Sequence, residues 1–279
     1  MQEIKCRIAP SLGGGFAGTP YSAWGVLPYN SETDIEKPCI FFGLYGLPDF
    51  YTLWGHKGKK WILWAGSDIT HFVNGYWLDN EGLIKVCPKS LAKWIRLNCE
   101  SWVENEVEAK ALKVLGIEAK VCPSFLGSVD IPISFQQGNK VYLSCSGDNF
   151  QLYGWDVIER IADKVPEITF FLYGSNEWKT KHPNVIIRGR VPKEIMDKEI
   201  SEMQAGLRPV ESDGCSEIVV KSVLRGQHTI SKIKYPFVDS YANDEELIEL
   251  LKELPNKDMP NFKARDWFIK NLNKFSWIH

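Results

Sequence analysis

CIFFGLYGLPDFYTLWGHKGKKWILWA, residues 39–65, reads as strand, helix, strand. Cys39–Tyr45 and Trp61–Ala65 are short unbroken apolar runs, the pattern of strands buried on both faces. Leu47–Gly55 lies between them as a short helix, and Gly66-Ser67-Asp68 closes the second run. Buried strands alternating with helices imply a parallel sheet with helices on its faces.

The alternation continues in both directions. Ser90–Asn98 reads as a helix and Ser101–Val103 as a strand. Glu104–Leu115 reads as an amphipathic helix with Val107, Ala111, Val114 and Leu115 on one face and Gly116 as its stop. Residues 127–139, GSVDIPISFQQGN, change the texture to glycine, proline and polar residues, which marks a linker. A second series follows: strand Val141–Ser146, helix Trp155–Lys164, strands Ile168–Tyr173 and Val185–Arg188, helix Lys193–Glu202, strand Gly206–Pro209, helix Ser216–Arg225, strand Thr229–Ser231 and helix Asp244–Leu254. The expected fold class is α/β, in two halves that each have their own sheet. The end of the chain, Met259–His279, is too apolar for a loose tail. Phe262, Trp267, Phe268, Leu272, Phe275 and Trp277 predict a helix that packs back on the first half.

The 279 residues, 44% hydrophobic and 24% charged, exclude a disordered chain. A net charge of -2 argues against a nucleic-acid partner, which needs a basic excess to neutralise phosphates. Seven cysteines without a C-x-x-C pair or a metal-ligand cluster suggest a reducing compartment and no structural zinc. With no apolar core of a signal peptide and no bilayer-length run, the expectation is a cytoplasmic protein. H-E-x-x-H, the P-loop and G-x-S-x-G are absent from the sequence.

The segment 206–231, GLRPVESDGCSEIVVKSVLRGQHTIS, resembles the nucleotide-sugar-binding segment of GT-B glycosyltransferases, in particular the retaining sucrose-synthase-like and mannosyltransferase-like group (group 1). Arg208, Pro209, Asp213, Gly214, Ser216 and Gly226 occupy the matching places. Gly66-Ser67-Asp68 is similar to that family's Gly-Thr/Ser-Asp after a strand of the first domain, Val185–Val191 to its Asn-Val-x-x-x-Gly-x-Val, and Phe275-Ser276-Trp277 to its Phe-Ser-Trp tail. The resemblance implies two Rossmann-like domains facing across a cleft: an acceptor-side domain over 1–130, a nucleotide-sugar domain over 138–254 and a crossover helix over 255–279. It implies transfer of a hexosyl group from a nucleotide-diphosphate sugar, UDP- or GDP-linked, to a hydroxyl of a glycan, lipid or protein, with retention, and no cofactor beyond the donor substrate.

Elementary chemistry gives these residue types a purpose. An Asp-Gly-x-Ser turn opening a helix aims backbone N–H groups and the positive end of the helix dipole at a phosphate. Gly214, Cys215 and Ser216 would form that amide nest. Arg208 at a strand end offers a planar fork to a phosphate oxygen. Asp213 would accept from sugar hydroxyls; the alternatives are an N-cap for Asp213 or Ser216 and a surface ion pair for Arg208. Helix amides with Arg208 would stabilise the leaving diphosphate without a metal. Asp68, at the carboxyl end of a strand, is either an acceptor-side catalytic group or a helix N-cap. Gly14, within Gly13–Pro20, belongs to a loop like the glycine-rich loop of GT-B folds, or to an ordinary turn.

Two departures from the family's pattern stand out. Its acidic pair Glu-x7-Glu reads Asp213 and Lys221 here, and Lys221 has no acceptor for a ribose hydroxyl. Either Glu217, one turn earlier, substitutes, or the nucleotide is held differently. In SGDNFQLYG, residues 146–154, Gly147 matches the family's glycine, but Tyr153 stands where lysine is usual. Arg190, Arg208 or Lys221 would then supply the missing charge at the diphosphate. The rival reading is a catalytically degenerate GT-B protein that serves as a binding or scaffolding subunit. Seven of the eleven tryptophans precede residue 103; most are expected in the core. His56-Lys57-Gly58-Lys59-Lys60 beside Trp54 and Trp61 would either touch an anionic membrane surface peripherally or form a solvated turn.

Overall fold

The computed structural model describes residues 3–12, 19–79 and 82–278. It divides into two compact units, Met1–Gly127 with Asn271–His279, and Ser128–Lys270.

The first unit runs β1 (Lys5–Ile8), α1 (Thr19–Trp24), β2 (Leu27–Pro28), β3 (Cys39–Phe42), α2 (Leu47–Gly55), β4 (Lys60–Leu63), α3 (Ser67–Val73), the hairpin β5 (Tyr76–Asp79) and β6 (Gly82–Lys85), α4 (Pro88–Asn98), β7 (Glu100–Val103), α5 (Glu106–Lys113) and β8 (Ala119–Val121). Six strands form one parallel sheet in the order β2-β1-β3-β4-β7-β8. All four residues of β3 are buried, as a strand covered on both faces requires. One face packs Phe41, Ile62, Trp64, Phe72 and Trp77 against the helices. The other packs Cys6, Trp24, Ile40, Phe42, Trp61 and Trp102 with Phe275 and Trp277. Trp54, by contrast, is exposed.

The second unit runs β9 (Lys140–Ser144), α6 (Trp155–Ile161), β10 (Thr169–Tyr173), β11 (Val185–Gly189), α7 (Lys193–Ile200), β12 (Ala205–Arg208), α8 (Glu217–Leu224), β13 (Ile230–Ser231), β14 (Asp239–Ser240), α9 (Asp244–Glu253) and α10 (Phe262–Asn271). Its parallel sheet has the order β11-β10-β9-β12-β13-β14. Counted from β9, that is 3-2-1-4-5-6, the doubly wound order whose direction reverses between the first and fourth strands. Gly206 lets α8 lie close on β12: a Cβ there would stand 2.9 Å from Ser222 Cβ, and the Gly206 amide donates to Ser222 Oγ at 3.0 Å.

Two helices differ instructively from the sequence reading. α5 starts after Asn105, whose side chain accepts from the amides of Val107 and Glu108. Its inward face is Glu108 and Leu112, whereas Val107 and Val114 are exposed. Glu108 turns in because Oε2 accepts from the Glu104 amide at 2.9 Å. The C-terminal segment is not one helix. α10 lies in the second unit, where Arg265 Nε donates to the Leu224 carbonyl at 2.8 Å and Phe268 meets Tyr235. The return to the first unit is made by Asn271–His279, with Phe275 and Trp277 stacked at 4.4 Å and buried on the first sheet.

Candidate functional site

In an open parallel sheet, ligands bind outside the carboxyl ends of the strands where the strand order reverses. In the second unit that place lies between β9 and β12. The chain leaves β9 through Cys145 and Ser146 to Gly147, whose φ of +60° suits glycine. Next to it the chain leaves β10 through Gly174, whose φ is +111°. A Cβ on Gly174 would stand 2.0 Å from the Cys145 carbonyl oxygen, so the two strand ends meet backbone to backbone. Asp148 and Ser175 join the following loops, the Ser175 hydroxyl donating to Asp148 Oδ1 at 2.6 Å.

Two guanidinium groups serve this strand end. Arg190, just beyond β11, donates from Nε to the Gly174 carbonyl at 3.0 Å. Arg208, the last residue of β12, directs Nη1 toward the Ser144 carbonyl at 3.5 Å. Both charges act on Cys145: burial and, to a smaller extent, the nearby Asp148 push its thiol up to about 11, while Arg190 and Arg208 pull the other way.

Arg208 and Asp213, singled out separately in the sequence, pair with each other. Arg208 Nε and Nη2 each lie 2.7 Å from Asp213 Oδ2. The guanidinium also sits over the Tyr153 ring, 4.7 Å from its centroid. The turn after Asp213 is anchored by Tyr235, whose hydroxyl donates to the Gly214 carbonyl at 2.7 Å. Cys215 is partly exposed, and Ser216 takes the N-cap position of α8 without a side-chain hydrogen bond to the helix. The first turn of α8 therefore keeps the anion-attracting character of a helix start.

Lys221 is paired with two carboxylates. One turn into α8, its Nζ meets Glu217 Oε1 at 2.8 Å and Asp197 of α7 at 3.7 Å. Arg225 joins the same carboxylate of Asp197 at 3.0 Å. With this i, i+4 geometry and two acidic partners, Lys221 and Arg225 link α8 to α7. Glu217 remains largely exposed at the start of α8.

In the first unit, Gly14 lies outside the described residues. Asp68 is wholly buried. Its carboxylate accepts from the amides of Leu44 (2.8 Å), Ala65 (3.0 Å) and Ile69 (2.8 Å). It thus braces the loops after β3 and β4, and the Tyr45 hydroxyl meets Ser67 Oγ at 3.1 Å beside it. Burial outweighs the three hydrogen bonds and raises the Asp68 carboxyl to about 6. Between pH 4 and 6 the folded chain therefore holds a proton that the unfolded chain has released. Stability should fall by roughly 3 kcal/mol as pH rises through that window. Urea midpoints measured across it should slope downward, and Asp68→Asn should flatten the slope; an unchanged slope would show that Asp68 does not govern it.

The basic stretch 56–60 is largely tied into its own unit. His56 is buried, with Nδ1 3.3 Å from the Tyr29 hydroxyl, and burial lowers its pKa. Lys59 Nζ lies 4.5 Å from the Trp61 ring centroid, and Lys60 Nζ donates to the Gly58 carbonyl at 3.2 Å. Among the described residues no helix is long and apolar enough to cross a membrane, and no His/Cys/Asp/Glu group could hold a metal ion. The sequence offered no signal for Tyr153 as the platform of Arg208, or for the bonds of Tyr235 and Ser175, because all three contacts join separate loops.

Sequence comparison finds no matching family model and no similar curated protein. Structural comparison finds clear likeness. TarM from S. aureus, in a complex with fondaparinux, alpha-GlcNAc-glycerol and UDP, has a TM-score of 0.58 at 17% identity, over 87% of this chain and 54% of TarM. The chain thus spans about half the length of that protein. An alpha,alpha-trehalose-phosphate synthase (UDP-forming) from Burkholderia xenovorans, bound to glucose-6-phosphate, has a TM-score of 0.61 at 7% identity, over 97% and 96% of the two chains. Sucrose-phosphate synthase from Thermosynechococcus elongatus has a TM-score of 0.59 at 10% identity, over 84% and 69%. Two doubly wound units, the tail returning to the first, and this likeness to TarM and the two synthases agree: the chain has the fold of the GT-B glycosyltransferases.

Proposed function

We propose that this chain transfers a hexosyl group, with retention, from a nucleoside-diphosphate sugar to a hydroxyl acceptor. The observation that carries the reading is the approach of Arg190 and Arg208 to the carboxyl end of β9, at the reversal of the second sheet. A diphosphate bound there would meet Arg208 Nη1, the remaining donors of Arg190 and the first-turn amides of α8. These groups would stabilise charge that grows on the leaving diphosphate as the sugar C1–O bond breaks, with no metal required. The amide nest of Gly214, Cys215 and Ser216 and the open approach at Gly147 belong to the same proposal; among the described residues, no heavy atom beyond its chain neighbours stands within 4 Å of where a Gly147 Cβ would be. UDP is the first nucleotide to test, because TarM and the trehalose-phosphate synthase are described with UDP as ligand or product. A glycan is the first acceptor class.

The test is calorimetric titration with UDP, GDP, ADP and their hexose conjugates. Selective binding of one diphosphate, with slow hydrolysis of its sugar conjugate, is the expected result. Arg208→Ala should weaken that binding by about 10- to 100-fold, the scale of a lost charge-assisted hydrogen bond. The Arg208–Asp213 pair, which neutralises the principal anion-binding group, favours a second reading: a degenerate subunit that binds no diphosphate at all.

A further inference from the structure

We propose that Tyr153 and Asp213 are positioning residues that act through Arg208, Tyr153 as the platform of its guanidinium and Asp213 as a counter-charge that a bound phosphate must outcompete. The proposal rests on the reading of this strand end as a diphosphate site and changes the role expected of two residues. Asp213 becomes the rival of the donor phosphate instead of a contact of the transferred sugar. Tyr153, where the family's pattern has a lysine, becomes the residue that fixes the guanidinium of Arg208.

The geometry assigns each guanidinium group a partner. Nε and Nη2 both lie 2.7 Å from Asp213 Oδ2, which leaves Nη1 directed toward the Ser144 carbonyl, at the end of the strand where the sheet reverses. The flat cation lies over the Tyr153 ring at 4.7 Å, in cation–π range. A separate feature holds that ring in register with Arg208. Gly154, at φ +71°, is pressed against the residue that follows Arg208: a Cβ there would stand 2.5 Å from both Cγ and the carbonyl oxygen of Pro209. The turn bearing Tyr153 is thus packed on the chain that leaves β12. Arg208 is mostly buried, so a flexible side chain has been given one orientation before any ligand arrives. Such pre-organisation reduces the ordering cost of binding.

The two neighbours of Arg208 have opposite effects on an anion. The ring fixes the cation without neutralising it, whereas the carboxylate fixes and neutralises it together. Replacing Asp213 with Asn keeps an acceptor oxygen and removes the charge, so orientation survives while competition ends.

The experiment is titration of the full chain with inorganic pyrophosphate and with UDP. Tyr153→Leu should weaken both by about three- to tenfold, as loss of a partly buried cation–π contact requires. Tyr153→Phe should retain native affinity, since the ring and not the hydroxyl carries the guanidinium. In an Arg208→Ala background, Tyr153→Leu should have no further effect, a result that a merely structural tyrosine would not give. Asp213→Asn should tighten both ligands by about two- to fivefold, the scale of a released ion pair at this exposure. Native affinity in Tyr153→Leu, equal damage from Tyr153→Phe, or weaker binding in Asp213→Asn would overturn the proposal. If Tyr153→Leu fails to fold, Tyr153→Met tests the same loss with the volume filled. Pyrophosphate binding that responds as described, without any preference for a nucleotide, would support the proposal and sink the nucleotide reading. No binding of either ligand by the native chain would overturn both.

Discussion

Gly174→Ala is expected to cost the second unit about 3–5 kcal/mol, from strain at a positive φ added to overpacking against backbone. Two independent facts converge on this position. Its φ of +111° is a conformation that L side chains rarely adopt, and an added Cβ would lie 2.0 Å from the Cys145 carbonyl oxygen. The obstacle is main chain held in the sheet, where the Cys145 amide donates to the Tyr173 carbonyl at 2.9 Å and the Gly174 amide to the Gly189 carbonyl at 2.8 Å. No rotamer change can relieve it; the ends of β9 and β10 must separate. Because the Gly174 carbonyl accepts from Arg190 Nε, that separation also displaces a cation of the proposed diphosphate site. Urea unfolding of the alanine variant should show the loss in its midpoint, and diphosphate titration of the folded fraction should show weaker binding. A midpoint within about 1 kcal/mol of native would mean that these strand ends are not in contact.

Trp277→Ala is the second large effect, about 3–5 kcal/mol, the range for deleting a buried aromatic. Trp277 is 2% exposed, stacks on Phe275 with ring planes 6° apart, and meets Trp102 edge-on at 5.5 Å and Trp61 at 5.8 Å. It is the plug of the face that Cys6, Ile40 and Phe42 build. Its buried indole nitrogen has no hydrogen-bond partner among the described residues, so Trp277→Phe removes a liability along with some area. The phenylalanine variant should therefore lose less than half as much. Thermal unfolding followed by near-ultraviolet circular dichroism reads both the stability and the aromatic packing. Equal losses in the two variants would show that ring area is not what holds the tail.

Much of the fold was legible because burial leaves a linear signature. The run Cys39–Phe42 is apolar without alternation, as a strand covered on both faces must be. β1, β2 and β8 were missed. They are short, they lie at or near a sheet edge, and they carry polar residues such as Lys5, Arg7 and Lys120 that a window of hydrophobicity passes over. The inward face of α5 was misread for a different reason: periodicity assigns apolar residues to the core, and Glu108 entered it through a hydrogen bond to the Glu104 amide.

The sequence by itself determined the alternation of strand and helix, the break between two halves and the turn ahead of α8, because apolar pattern and turn chemistry are local properties; Arg208 and Asp213 were singled out by family resemblance. Only the tertiary structure decided what those residues face. It paired Arg208 with Asp213 over Tyr153, turned Lys221 to Asp197, and buried Asp68 under three amides. A charged side chain finds its partner where separate loops meet at the end of a sheet, and that meeting is set by strand order, which no local stretch of sequence encodes.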